Sequence, residues 1–267
     1  MRSLLRQVVL VSSVLLLAAA SSSGLDPSAR IDDPFAGLPS KVVAQLKKNL
    51  SGVVIESRED VPPLKKAEDW LPLSQAEFEF ERAGSRNKSI RWAITPAKKV
   101  PGEKETVRGW TIVDSDGTTR FLSLTEAGVI QSRFTVSHPN GFLIKFDPPE
   151  PVVHPAGPEL EPTEISISVS DLDSPSDVKY SGKAKCTWRD LGGFRVKVPA
   201  GEYDARLLWV HYDGSVGPAS VDGSQLLFVS PGTGPVAFTD DRAISAFLFI
   251  NDDTARAGVL RKVSRGG

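Results

Sequence analysis

The sequence predicts a mainly β protein: a curved antiparallel sheet with one short N-terminal helix. Three observations predict it. From about residue 72 onward, apolar and polar residues alternate with period two. Turn residues (Gly, Asp, Asn and Pro) punctuate that alternation at regular intervals. The chain also carries 20 prolines and 22 glycines, enough to break long helices into turns.

The N-terminus reads "MRSLLRQVVLVSSVLLLAAASSS". Arg2 and Arg6 form a positive start, and Leu4 to Ala20 is mostly apolar and ends in small residues. This is the pattern of a secretory signal peptide over residues 1–20, with Ala18 and Ala20 at the small positions of an A-x-A-like cleavage site. The run is short of the roughly 20 apolar residues that span a bilayer, and Ser12 and Ser13 interrupt it. No later segment has the length and hydropathy to cross a membrane, so a chain cleaved here has no transmembrane span. The expected location is secreted or periplasmic.

Loss of Arg2 and Arg6 takes the 32 basic residues to 30 against 33 acids, a net charge of −3. With no basic excess to neutralise phosphates, nucleic acid is excluded as a partner. The single cysteine, Cys186, cannot form an internal disulfide, so the exported chain relies on its core. Cys186 sits in "KAKCTWRD", a predicted strand, and reads as a small buried residue rather than a nucleophile.

Residues 21–39 are polar and turn-rich and read as a linker. Residues 40–69 form the short helix and an entry segment. Ser40 is placed to cap the helix and Gly52 to end it, with Val42, Val43, Leu46 and Leu50 along one side. The β domain then occupies 70–267. "AEFEFERAG" sets Phe78 and Phe80 against Glu77, Glu79 and Glu81. "KSIRWAIT", "GWTIVD", "TRFLSL", "VIQSRFTV" and "FLIKF" follow, joined by turns such as "SDGT", "TEAG" and "SHPNG". Residues 147–162 carry six prolines, which lack the N–H a central strand needs, and read as a long connector. After it, "TEISISVSDL", "VKYSGKAKCTW", "SQLLFVS", "GPVAFTD", "ISAFLFI" and "GVLRKV" bring the count to about fourteen strands.

The most informative stretch is "FRVKVPAGEYDARLLWV", residues 194–210. Pro199 suits the second position of a type I turn and Gly201 its fourth. That turn sets Lys197 opposite Glu202, Val196 opposite Tyr203, Arg195 opposite Asp204 and Phe194 opposite Ala205. Apolar meets apolar and each base meets an acid, so a one-residue slip would bury every charge. Glu202 and Asp204 therefore read as solvated partners of the two bases rather than as catalytic carboxylates.

"VKVPAGEYDA", followed by "LFVSPGTGPVAF", resembles a family of secreted, β-rich bacterial proteins of unknown function. Their shared features are a V-x-V-P-A-G-x-[FY]-x-A hairpin and a later P-G-x-G strand. "WLPLSQAEFEFE", "LTEAGVIQSRF" and "FDPPEPVVHP" resemble further parts of the same pattern, over roughly residues 70–250. Pro235 stands where that pattern has an apolar residue. The resemblance implies a lipocalin-like half-barrel in the bacterial envelope, with a sandwich as the other arrangement of these strands, and it supplies no catalytic residues.

The chain offers little catalytic chemistry. "SPGTGP" lacks the Lys and the longer glycine pattern of a phosphate loop. His138, His154 and His211 have no metal-ligand spacing, so no metal and no cofactor is expected. His211 and Asp213, at a strand end, are weak catalytic candidates, since a His beside an Asp can serve as a base. No G-x-S-x-G elbow accompanies them. Trp92, Trp110, Trp188 and Trp209 are candidate wall residues for a ligand inside a curved sheet. The leading reading is an exported, non-catalytic envelope protein with a binding or scaffold role, its partner an apolar small molecule or another envelope protein. The alternatives are a secreted hydrolase using carboxylate and His residues, and an interaction module that pairs through a strand edge. Intact-mass analysis of the protein from an exporting bacterium is expected to find a chain starting at Ser21; a mass that retains residues 1–20 would rule out the cleavage.

Overall fold

Alternate burial along the chain is what draws its strands into one sheet. The computed structural model describes residues 33–82, 89–97, 109–138, 140–155, 160–246 and 250–266, without the side chains of 242–246 and 250–254. The expected signal peptide, and the linker up to residue 32, lie outside the described residues. Helix α1 (Ser40–Asn49) leads into strand β1 (Val54–Ser57) and a single-turn helix α2 (Ala67–Trp70). Then come β2 (Ala76–Arg82), β3 (Ser89–Pro96), β4 (Trp110–Asp114), β5 (Thr118–Leu124), β6 (Ile130–Ser137) and β7 (Phe142–Val153). The second half is β8 (Thr163–Asp171), β9 (Val178–Val198), β10 (Gly201–Val216), β11 (Ala219–Ser230), β12 (Gly234–Ala246) and β13 (Ile250–Arg265).

All neighbours are antiparallel. The order β9-β10-β11-β12-β13-β2-β3-β4-β5-β6-β7-β8 returns to β9, so twelve strands close into a barrel, with β1 added outside the ring. The expected half-barrel or sandwich is thus corrected to a closed barrel. Two long-range seams make the difference. β13 pairs with β2 (Leu260 opposite Phe80), and β8 pairs with β7 on one side (Ile144 opposite Val169) and β9 on the other (Ile165 opposite Ala184). Closure satisfies edges that a half-barrel would leave open.

The predicted hairpin forms in the predicted register, Lys197 opposite Glu202 through Phe194 opposite Ala205. The two ion pairs form as well, at 2.9 Å for Lys197–Glu202 and 3.0 Å for Arg195–Asp204. The proline-rich stretch departs from expectation. β7 continues to Val153 through Pro148, Pro149 and Pro151, pairing Pro151 with Gln131 and Glu150 with Ser132. Irregularities in the β6–β7 ladder accommodate it, and β8 pairs only with residues 142–147. The proline half of β7 therefore has no partner strand in β8 to which it would donate.

The pleat separates two faces. Phe78, Phe80, Ile90, Ile94, Leu122 and Trp188 point inward and are buried, while Glu77 is exposed on the outer side. Inside, the Phe80, Trp92 and Phe238 rings pack with centroids 4.5–5.2 Å apart. Outside, α1 lies across β11 and β12. Val42, Leu46 and Leu50 are buried there as the helical spacing predicts, and Val43 is half-buried. Ser40 does not cap the helix: Pro39 occupies the cap position, with no side-chain cap bond.

Gln45, on the buried side of α1, was not legible as an anchor. Its Nε2 donates to the Ser224 carbonyl at 2.9 Å and to Thr239 Oγ1 at 2.7 Å. Lys41–Asp222 and Lys48–Asp241 ion pairs flank it.

The stretch from β1 to β2 closes one end of the barrel. Arg206 bridges it to the wall: its Nε donates to Asp190 at 2.8 Å and its Nη1 to the Val61 carbonyl at 3.1 Å. Gly193 lets the segment approach, because a Cβ there would lie 2.3 Å from the Arg58 carbonyl oxygen. Burial pushes the Asp190 carboxyl pKa up, against the opposing pull of Arg206. The pair is inaccessible, with side-chain exposures of 4% for Asp190 and 13% for Arg206. Removing one member strands the other, so Asp190→Ala is expected to destabilise the fold by about 3–5 kcal/mol in urea unfolding. Asp190→Ala combined with Arg206→Met should recover much of that loss.

Candidate functional site

The inward rows of the barrel leave a partly open space that combines charge with apolar wall. It is a cavity of about 140 Å³. Leu71 and Pro235 border it, as do Asp116, in the turn between β4 and β5, and Thr118 at the start of β5. Its apolar wall is Trp92, Ile112, Val152, Leu208, Leu227 and Phe238, among others. Its charged wall is Arg120, Arg256, Asp114, Asp116, Glu150 and Asp240.

These groups arrive by alternation on strands distant in sequence. Trp92 is opposite Asp114 across β3 and β4, and Ile112 is opposite Arg120 across β4 and β5. Glu150 enters from the proline half of β7 and Arg256 from β13. Arg256 Nη2 meets both Asp114 oxygens at 2.9 and 3.0 Å, and its Nη1 meets Asp116 at 2.6 Å. Asp114 also accepts Trp92 Nε1–H at 2.9 Å and the Asp116 N–H at 3.1 Å. This half of the cavity is a closed ionic network that ties β13 to the β4–β5 turn.

The other half is looser. Arg120 Nη2 lies 3.7 Å from Glu150 Oε1, with side-chain exposures of 25% and 4%. Behind them stand Tyr212 and Cys186, inward neighbours on β10 and β9. The Tyr212 hydroxyl is buried, with Glu150 and Cys186 as its polar neighbours. Burial, reinforced by Glu150, pushes its pKa well above the usual phenol range and keeps it neutral. Burial also pushes the Cys186 thiol up to about 12, again with Glu150 contributing. Cys186 is thus the buried, unreactive residue that its strand position predicts.

Of the four candidate tryptophans, Trp92 lines this cavity. Trp188 points inward and is fully buried, with its ring 5.9 Å from that of His154. Trp110 is partly buried against the same core. Trp209 faces outward beneath α1, its Nε1 donating to Ser224 Oγ at 2.9 Å. His211 is also on that outer face, stacked on Trp209 at 5.7 Å. Its Nδ1 lies 2.8 Å from the Gly223 carbonyl, which can only accept, so Nδ1 carries the proton. Its carboxylate neighbour is Asp222 at 3.7 Å, while Asp213 is exposed on the same strand. The structure therefore does not bring His211 or Asp213 to the cavity. Among the described residues, no group of three or more His, Cys, Asp and Glu side chains is placed to hold a metal ion.

Sequence reading missed Arg120, Glu150, Asp114, Asp116 and Arg256. The available signal was polar residues on the inward phase of otherwise apolar strands, as in Arg120 two positions before Leu122. That phase is visible only once the register is known.

No protein-family model matches the chain, and no curated protein does. Two solved structures match the chain. One is described as a "putative exported protein with YmcC-like fold" from Bacteroides fragilis, at 11% identity and TM-score 0.42, covering 73% of this chain and 99% of the other. The other is described as a "putative lipoprotein" from Parabacteroides distasonis, at 10% identity and TM-score 0.36, covering 73% and 97%.

A thiol held near pKa 12 inside the barrel is expected to resist alkylation by iodoacetamide at pH 8 in the native protein and to react fully in 6 M guanidinium, as read by mass. Rapid native labelling would overturn the placement of Cys186.

Proposed function

We propose that the protein is an exported, non-catalytic barrel of the bacterial envelope that binds a small polar ligand within its walls. Export is supported by Arg2, Arg6 and the apolar run that ends at Ala20. The outward positions of β2 are Glu77, Glu79 and Glu81, which suit water. A lipid-facing strand would carry apolar residues there, since charge at mid-bilayer costs about 2–4 kcal/mol.

The observation that carries the ligand reading is the size and lining of the cavity. Its 140 Å³ falls below the roughly 300–1,000 Å³ of pockets that enclose drug-sized ligands, so an apolar lipid in this cavity would have to displace Phe80, Trp188 or their neighbours; a second, more open hollow of about 700 Å³ lies beside Leu143, Lys145, Ser168 and Lys183. Two arginines and four carboxylates line the cavity, a poor match to an apolar guest but a good one to a small polar molecule. Trp92 is the tryptophan assigned to the wall of this site. Strand-edge pairing is the lesser alternative: the barrel is closed, and β1, the strand added outside it, has only four residues. The hydrolase alternative lacks a supporting arrangement at His211, whose ring turns away from the cavity.

Fractionation of an expressing bacterium, with native mass spectrometry of the purified protein, tests this reading. The expected outcome is protein in the periplasm or medium, free of bound lipid. Cytoplasmic retention or stoichiometric lipid would overturn it.

A further inference from the structure

We infer that the hollow on the outer face of β6 to β9 is a binding site for a short neutral saccharide. It shares no lining residue with the barrel cavity, so it stands apart from the reading above.

Strand register builds the site. Ile112, Arg120, Thr135, Ile144 and Val169 follow one another across β4 to β8, and Ile112 and Arg120 line the cavity, so this row faces inward. The alternate positions face out. There Phe134, Lys145, Ser168 and Ser181 make one row. Asp147, Ser166 and Lys183 make the next row on one side of it, and Leu143, Ser170 and Val178 on the other. Phe134 and Leu143 belong to a small second core with Phe121 and Val136, and Leu172 packs against it. The turn after β8 brings Pro175 and Ser176 to the same hollow. The result is a groove of about 700 Å³, within the roughly 300–1,000 Å³ of small-molecule sites.

Unmet hydrogen-bonding capacity carries the inference. Among the described residues, the Ser166, Ser168, Ser170 and Ser181 hydroxyls have no hydrogen-bond partner. Water serves this need at Ser166 and Ser181, which are exposed. Ser170 differs: it is only 5% exposed, and its hydroxyl is unpaired where it lines the hollow. Buried polar groups seldom stay unpaired.

Each serine hydroxyl both donates and accepts, as each sugar hydroxyl does, so a polyol completes several at once. Charge does not select an anion. Lys183 is held by Glu164 at 2.6 Å, and Asp147 in the neighbouring row offsets Lys145. These two ammoniums and two carboxylates sum to zero, which matches a neutral guest. Leu143, Val178 and Pro175 receive the C–H face of a sugar ring. A purely apolar chain would leave the serine hydroxyls unpaired and cut off from water, which is costly.

The test is calorimetric and thermal-shift titration of the purified, dialysed chain with maltotriose, cellotriose and chitotriose. Sodium sulfate and dodecanoate serve as the anionic and apolar-chain controls. The expected result is saturable binding of at least one trisaccharide with a raised Tm, at a Kd of about 1 mM or tighter. Ser168→Ala and Ser170→Ala should each weaken it about two- to tenfold. The Tm of either free variant should stay at the wild-type value, because neither hydroxyl has a protein bond to lose. Ser168→Phe fills the middle of the groove and should abolish binding. Absence of saturable binding by all three trisaccharides up to about 10 mM overturns the inference. So does tighter binding of sulfate or dodecanoate, or trisaccharide binding that Ser170→Ala and Ser168→Phe leave intact.

Discussion

Closure of the sheet is the constraint on which the rest depends. β8 hydrogen-bonds β7 on one side and β9 on the other, and with the β13–β2 seam it turns a meander into a ring. Once the ring is closed, alternation acquires an absolute meaning: one phase of every strand faces a common interior. Phe80, Trp92 and Phe238 meet there although they come from opposite ends of the chain. The charged residues that share their phase are carried inward too.

An interior that holds both aromatics and charges has to reconcile burial with solvation. At Arg256 it does so by saturation, with two carboxylates, an indole N–H and a backbone N–H arranged around one another. At Arg206 and Asp190 the same solution ties the wall to the segment that closes the barrel end. At Arg120 and Glu150 the charges stand 3.7 Å apart, with the Tyr212 hydroxyl buried beside Glu150. Buried polar groups are costly unless paired, and each of the three ionic clusters in the barrel sets opposite charges against one another.

Local features were well read. The hairpin at Pro199–Gly201 formed in register because Val196, Phe194, Lys197 and Arg195 each had one fitting partner across a four-residue turn. Cys186 was buried as its strand phase indicated. The proline stretch was misread because proline forbids a ladder bond only where a strand sits to receive it, and the β7–β8 ladder ends at Asp147, before Pro148. The candidate site was nearly illegible. Trp92 was named, but Arg120 and Glu150 look like ordinary surface charges until their strands are paired.

By itself, the sequence determined the strands from their period-two alternation, the helix from its 3.6-residue spacing and the register of the local hairpin. These are short-range quantities, set by pleat, turn geometry and side-chain size. Tertiary structure alone decided that the sheet closes, which phase becomes the interior, and which distant charges meet there. Those outcomes depend on pairings between segments as far apart as Phe80 and Leu260, and no local pattern encodes a partner that far along the chain.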